Sequence, residues 1–106
     1  MKITWAPRAK RRAGEYGEYI AQDNEEAAYE WLVGIFEEVE RLKDFPEQGR
    51  VVPEIGHPDV REIFYKSHRI IYRIGSRRIR IITIRHGRQL LDKKEVLFNI
   101  EWVTGC

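Results

Sequence analysis

Residues 61–88, REIFYKSHRIIYRIGSRRIRIITIRHGR, decide the fold. β-Branched and aromatic residues crowd this stretch between two turn signals, Ser67-His68 and Gly75-Ser76, and predict three antiparallel strands at about Arg61–Lys66, Arg69–Ile74 and Arg78–His86. Both connections are short enough to be hairpins, and short hairpins fix register. Pairing Lys66 with Arg69 sets Phe64 opposite Ile71 and Glu62 opposite Arg73. One face then carries Ile63, Tyr65, Ile70, Tyr72, Ile74, Ile79, Ile81 and Thr83. The other carries Glu62, Phe64, Lys66, Arg69, Ile71, Arg73, Arg78, Arg80, Ile82, Ile84 and His86. A sheet buries its apolar face against helices and leaves the other to solvent or a partner, so the cationic face is where function is expected.

Working outward, Lys2–Ala6 reads as a short first strand, and Pro7 suits a first helical turn. Arg8–Gln22 carries a helical stripe of Ala9, Ala13, Tyr16 and Ile20 with neighbouring Tyr19, opposite Lys10, Arg11 and Arg12. Asp23 or Asn24 caps a second helix, whose stripe runs through Ala27, Ala28, Trp31, Leu32, Ile35, Phe36, Val39 and Leu42 until Phe45-Pro46 ends it. The two helices should form an antiparallel hairpin on the apolar sheet face, with Trp5, Trp31 and Phe36 in the core. Residues 46–60, with three prolines and two glycines, read as an ordered loop over the sheet. Beyond Arg88, Glu95–Val103 reads equally as a strand, a short helix or a tail.

The fold class expected is therefore α+β: an N-terminal strand and a helix hairpin packed on one face of a mainly antiparallel sheet of three to four strands. With 106 residues the chain should be one domain, 1–106, in which 92–106 is an extension of open structure. No run approaches a membrane span and Met1-Lys2 leads into a strand, so a cytoplasmic protein with no membrane partner is expected. One cysteine, Cys106, and three unclustered histidines, His57, His68 and His86, predict neither metal nor other cofactor.

Charge is divided unevenly. Residues 1–53 hold 8 Lys/Arg and 11 Asp/Glu, a net −3, whereas residues 54–106 hold 11 and 6, a net +5. A basic sheet beside acidic helices suits a polyanion or an acidic protein, although a plain solvated basic face fits the charge as well. Phosphate loops, nucleotide fingerprints, nucleophile elbows and zinc signatures are absent from the sequence. Arg69, Arg73, Arg78, Arg80 and His86, with Glu54 on a covering loop, could instead serve phosphodiester chemistry without metal. A carboxylate or imidazole would act as base on a ribose 2′-OH, an arginine would hold the phosphate, and a second group would protonate the leaving oxygen.

FPEQGRVVPE, VREIFYKSHRIIYRI and IRIITIRHGRQLL, in the order strand, helix pair and three strands, resemble the RelE/ParE superfamily of toxins from type II toxin–antitoxin and plasmid-stabilisation modules. The resemblance covers about Lys2–Leu91. It implies either an mRNA-cleaving toxin that inhibits growth by stopping translation at the ribosome, or a toxin that poisons DNA gyrase without being a nuclease. In the YoeB-like ribonuclease branch a Glu, an Arg and a His are catalytic, and their settings look like those of Glu54, Arg69 and His86 here. Arg61, Arg73, Arg80 and Arg88 would add RNA contacts. The His-Gly-Arg ending at 86–88 is similar instead to gyrase-directed ParE-like members, and a toxin-fold protein without activity is the third reading. Each implies a cognate antitoxin, acidic in its C-terminal segment.

Overall fold

The expected three-strand meander forms the centre of a sheet with two further strands. The computed structural model describes residues 1–87, 89 and 91–98. Its elements run β1 (Lys2–Trp5), α1 (Pro7–Ala21), α2 (Glu25–Glu40), a short 3-10 turn (Arg41–Lys43), β2 (Arg50–Val51), β3 (Val60–Tyr65), β4 (His68–Ile74), β5 (Arg78–His86) and α3 (Lys93–Phe98). The strand order is β1-β5-β4-β3-β2, with β1 parallel to β5 and every other pair antiparallel. The sheet thus has five strands where three to four were expected. The extra one, β2, holds two residues inside the loop between Pro46 and Val60, pairing Arg50 with Glu62 and Val51 with Arg61.

Local chemistry accounts for the helices. Pro7 opens α1, where its missing N–H is unneeded. Asn24 caps α2, its Oδ1 accepting from the Ala27 N–H at 3.0 Å, and Glu25 and Glu26 sit at the positive end of the helix dipole. Both helices lie on one sheet face. Ala9 and Ala13 of α1 and Trp31, Ile35 and Val39 of α2 bury against Ile63, Ile70, Tyr72, Ile79, Ile81 and Ile84. Each such isoleucine contributes on the order of 1.5–3 kcal/mol by leaving water. Two expected core residues depart from this. Phe36 is 51% exposed and rests on Trp5 at 5.2 Å, because 31, 35 and 39 already fill the buried stripe; Tyr19 faces solvent.

The register corrects the expected pairing in two places. The hairpin between β3 and β4 turns on Lys66-Ser67, with Lys66 at φ 52°, so Tyr65 pairs with His68 and Glu62 with Ile71. This shift of two leaves the faces of β3 and β4 as expected. On β5 a bulge intervenes: Tyr72 pairs with Ile81, yet Ile71 pairs with Thr83, leaving Ile82 as the additional residue. One extra residue reverses side-chain parity beyond it. Ile84 therefore joins the helix-side core, Thr83 turns to the other face, and His86 follows Ile84 to the helix side. The expected face for these three was the opposite one.

That other face is only partly open. Val52, Val60, Ile71, Ile82, Leu91 and Val96 form a second small core there, which α3 and the loop after β2 cover. Glu95 ties α3 down: Thr83 Oγ1 donates to its Oε1 at 2.7 Å, and Arg12 Nη2 lies 3.1 Å from the same oxygen. The segment from Glu95, open between strand, helix and tail on sequence, begins within a helix; residues 99–106 lie outside the described residues. Among the described residues no helix is long and apolar enough to cross a membrane.

Candidate functional site

Glu62 sits in the middle of β3, on the face away from the helices, with its side chain fully enclosed. An ionised carboxylate there requires cationic partners. The neighbouring strands supply two. Arg69 Nε donates to Glu62 Oε1 at 2.7 Å, with Nη2 at 2.5 Å from the same oxygen, and Arg50 Nε donates to Oε2 at 2.6 Å. Arg69 is itself almost buried, its side chain 7% exposed. Its two terminal nitrogens turn to Glu54 on the loop after β2, donating to Oε2 and Oε1 at 3.0 Å each. The result is a continuous chain, Arg50–Glu62–Arg69–Glu54.

This geometry sets the protonation chemistry. The Arg69 hydrogen bonds hold the Glu54 carboxyl below its usual range, against the opposing effect of burial. Arg69 in turn is pushed up, first by those bonds to Glu54. A carboxylate so stabilised takes a proton reluctantly, whereas a general base works best with a pKa near the operating pH. An arginine with donors on two carboxylates has little left for a phosphate. The pair is built as a brace for the loop and the sheet.

Of Glu54, Arg69 and His86, the three that the resemblance to the ribonuclease branch implies, Glu54 and Arg69 are in direct contact. His86 pairs across with His68, in the row of Ile70 and Ile84 on the helix side. The two imidazole rings lie edge-on at 5.3 Å, and His68 packs edge-on against Tyr16 at 4.6 Å and Trp31 at 4.9 Å. The His86 backbone N–H donates to Gln89 Oε1 at 3.0 Å. His68, enclosed by these rings, is pushed below its ordinary pKa by burial and then by the nearby His86.

The other expected contact residues separate as well. Arg61 belongs to the helix side and braces loops, donating from Nε to the Pro58 carbonyl at 3.0 Å and from Nη1 to the Gly49 carbonyl at 2.9 Å. Arg73 and Arg80 face each other across β4 and β5, away from the helices. Arg88 lies outside the described residues. Lys2, which sequence reading passed over, pairs with Arg78 next to them; the alternation of Lys2 and Thr4 with Ile3 and Trp5 was the signal available. Among the described residues, no group of three or more His, Cys, Asp or Glu is placed to hold a metal ion.

Comparison with known proteins agrees with this architecture. Residues 3–91 match the family model described as the ParE toxin of the type II toxin–antitoxin system parDE. The chain is 34% identical over 93 residues to "Putative toxin Y4kP" of Sinorhizobium fredii, covering 83% of this chain and 90% of that protein. A solved structure described as the chromosomal ParDE TA system from P. aeruginosa superposes with a TM-score of 0.67 at 24% identity, covering 81% of this chain and 95% of that one.

Proposed function

The chain belongs to the ParE toxin family of type II toxin–antitoxin systems, and we propose that it poisons its target by binding, with DNA gyrase as that target, rather than by cutting RNA. One observation carries the proposal: the bulge at Ile82 sends His86 to the helix side, while Glu54 and Arg69 pair on the other. Phosphodiester cleavage needs a base and an acid converging on one phosphate. A base held ionised by Arg69 and a His86 imidazole lying edge-on against His68 on the helix side argue for a surface rather than a reaction centre.

Membership of a two-component system implies a cognate antitoxin as partner. We infer that this antitoxin presents an acidic segment to the basic sheet, so that the complex weakens as salt screens the charges.

The test is induction of the chain alone in bacteria, with protein synthesis and DNA supercoiling followed in parallel over minutes, and purified gyrase assayed with added toxin. The expected result is continued translation with lost supercoiling and DNA breaks. A prompt stop in translation with mRNA cut at defined positions, abolished by Glu54→Ala, would overturn the reading and restore the ribonuclease.

A further inference from the structure

Helix α2 buries Ala28, Trp31, Ile35 and Val39, and its solvent side carries a second apolar stripe. Tyr29, Val33 and Phe36 are all exposed there, at the i, i+4, i+7 spacing that keeps side chains on one line of a helix. Phe36 stands as a ridge between two grooves. One, of about 310 Å³, runs between α1 and α2 and is lined by Trp5, Lys10, Ala13, Gly14 and Leu32. A Cβ on Gly14 would meet nothing within 4 Å, so this groove is open to an incoming side chain. The other, of about 500 Å³, lies beyond Phe36 along Val33, Glu37, Glu40 and Asp44. Charge around the stripe is one-sided. Over Glu25–Glu40 the helix holds six glutamates and no lysine or arginine. Residues 7–40 together hold 4 Lys/Arg and 9 Asp/Glu, a net −5. Two of those cations, Arg8 and Arg12, reach away to Glu95. Glu26, Glu30 and Glu37 are exposed on α2, whereas Glu38 and Glu40 have Arg41 and Lys43 beside them.

We infer that this face docks a basic amphipathic helix of a partner protein, with apolar residues at the same spacing and lysines or arginines on either side of them. Recognition of a helix in a groove uses such anchors, and an exposed aromatic between two grooves is the type of residue that dominates a small interface. The stripe spans about 10 Å along α2, so an occupant of about three turns covers it. The acidic rim selects the occupant. A second copy of this helix pair would set the α2 glutamates against one another or against Glu15 and Glu18, and like charges repel. The acidic segment inferred for the antitoxin is repelled here for the same reason and belongs on the basic sheet, so the two contacts occupy different faces. Nothing in the helix contact depends on gyrase.

The probe is a synthetic helical peptide of about four turns, with leucine at i, i+4, i+7 and i+11 and lysine beside them, labelled for fluorescence anisotropy and titrated with the full chain. A twin carries glutamate in place of lysine. The lysine peptide should bind, and Phe36→Ser should weaken it by about tenfold or more. Val33→Ser, which leaves the Phe36 contact with Trp5 in place, should weaken it in the same direction. Glu30→Gln/Glu37→Gln should lower the affinity several-fold and flatten its dependence on salt. Whatever affinity the glutamate twin has for the basic sheet should be untouched by Phe36→Ser. Unchanged binding of the lysine peptide by folded Phe36→Ser and Val33→Ser proteins would overturn the inference. So would a glutamate twin as sensitive to Phe36→Ser as the lysine peptide, since the rim would then select nothing. Dimerisation of the parent in sedimentation, removed by Phe36→Ser, would assign the face to a second copy instead.

Discussion

Arg69 holds Glu54 by two hydrogen bonds of 3.0 Å, one from each terminal nitrogen, while its Nε holds Glu62. One guanidinium therefore faces two carboxylates, and Arg50 balances the second. Four of the charges on the formally basic sheet cancel locally. Beyond this network the same face carries Arg85, opposite Arg69, and at its other end Lys2, Arg73, Arg78 and Arg80.

Glu62→Ala should be strongly destabilising, by about 3–5 kcal/mol, because it leaves the nearly buried Arg69 without its enclosed partner. Arg50, 61% exposed, contributes through solvent to the same carboxylate, and Arg50→Ala should cost about 1 kcal/mol or less. Urea unfolding of both variants checks the contrast. Equal losses would show that the network is not organised around the buried carboxylate.

Acid should weaken the Glu54 contact. Its folded pKa is lowered from the ordinary 4.5, so its contribution is complete above that value and is lost as pH falls through the lower folded one. The parent should lose stability below pH 4.5 more steeply than Glu54→Gln. Parallel profiles for the two proteins would remove Glu54 from the acid response.

His68 produces a separate acid sensitivity nearer neutrality. Its folded pKa lies below the ordinary 6.5, so the unfolded chain takes up the proton first and stability falls as pH drops from 6.5 toward the folded value. One proton limits the slope to about 1.4 kcal/mol per pH unit. Thermal unfolding of His68→Phe across that window should show the slope removed, with the aromatic packing against Tyr16 and Trp31 retained. A slope unchanged in the variant would place the titration elsewhere.

Two helical glycines should respond oppositely to alanine. A Cβ on Gly34 of α2 would run into the hydroxyl and ring of Tyr65, whereas one on Gly14 of α1 meets nothing within 4 Å. Gly14→Ala should stabilise by about 0.5–1 kcal/mol through helix propensity. Gly34→Ala should lose about 1–3 kcal/mol by overpacking, despite the same propensity gain. Denaturant midpoints decide; stabilisation by both would mean that Tyr65 moves aside at little cost.

The meander, the helix pair and the Asn24 cap were legible because alternation, a 3.6-residue stripe and a capping side chain each state themselves locally. The bulge was legible in principle. In Ile79-Arg80-Ile81-Ile82-Thr83-Ile84 the apolar positions are 79, 81, 82 and 84, and the doubled Ile81-Ile82 marks where the alternation changes phase. Strict period-two reading carried His86 across to Glu54. Strand β2 escaped notice because two residues between Gly49 and Val52 offer no period at all. The Glu54–Arg69 contact depends on how a loop folds back over the sheet, which spacing does not encode.

The pairing of β1 with β5 joins residues 2–5 to residues 78–81, and this has a consequence for how the chain is made. Synthesis delivers both helices long before the strand that completes the sheet beneath them. Ala9, Trp31, Ile35 and Val39 have no Ile79, Ile81 or Ile84 to pack against until β5 has emerged from the ribosome. Closing so long a loop is also entropically the dearest contact in the sheet. A nascent chain therefore carries an uncovered helix hairpin until residues 78–86 have been made, when β1 at last finds its neighbour.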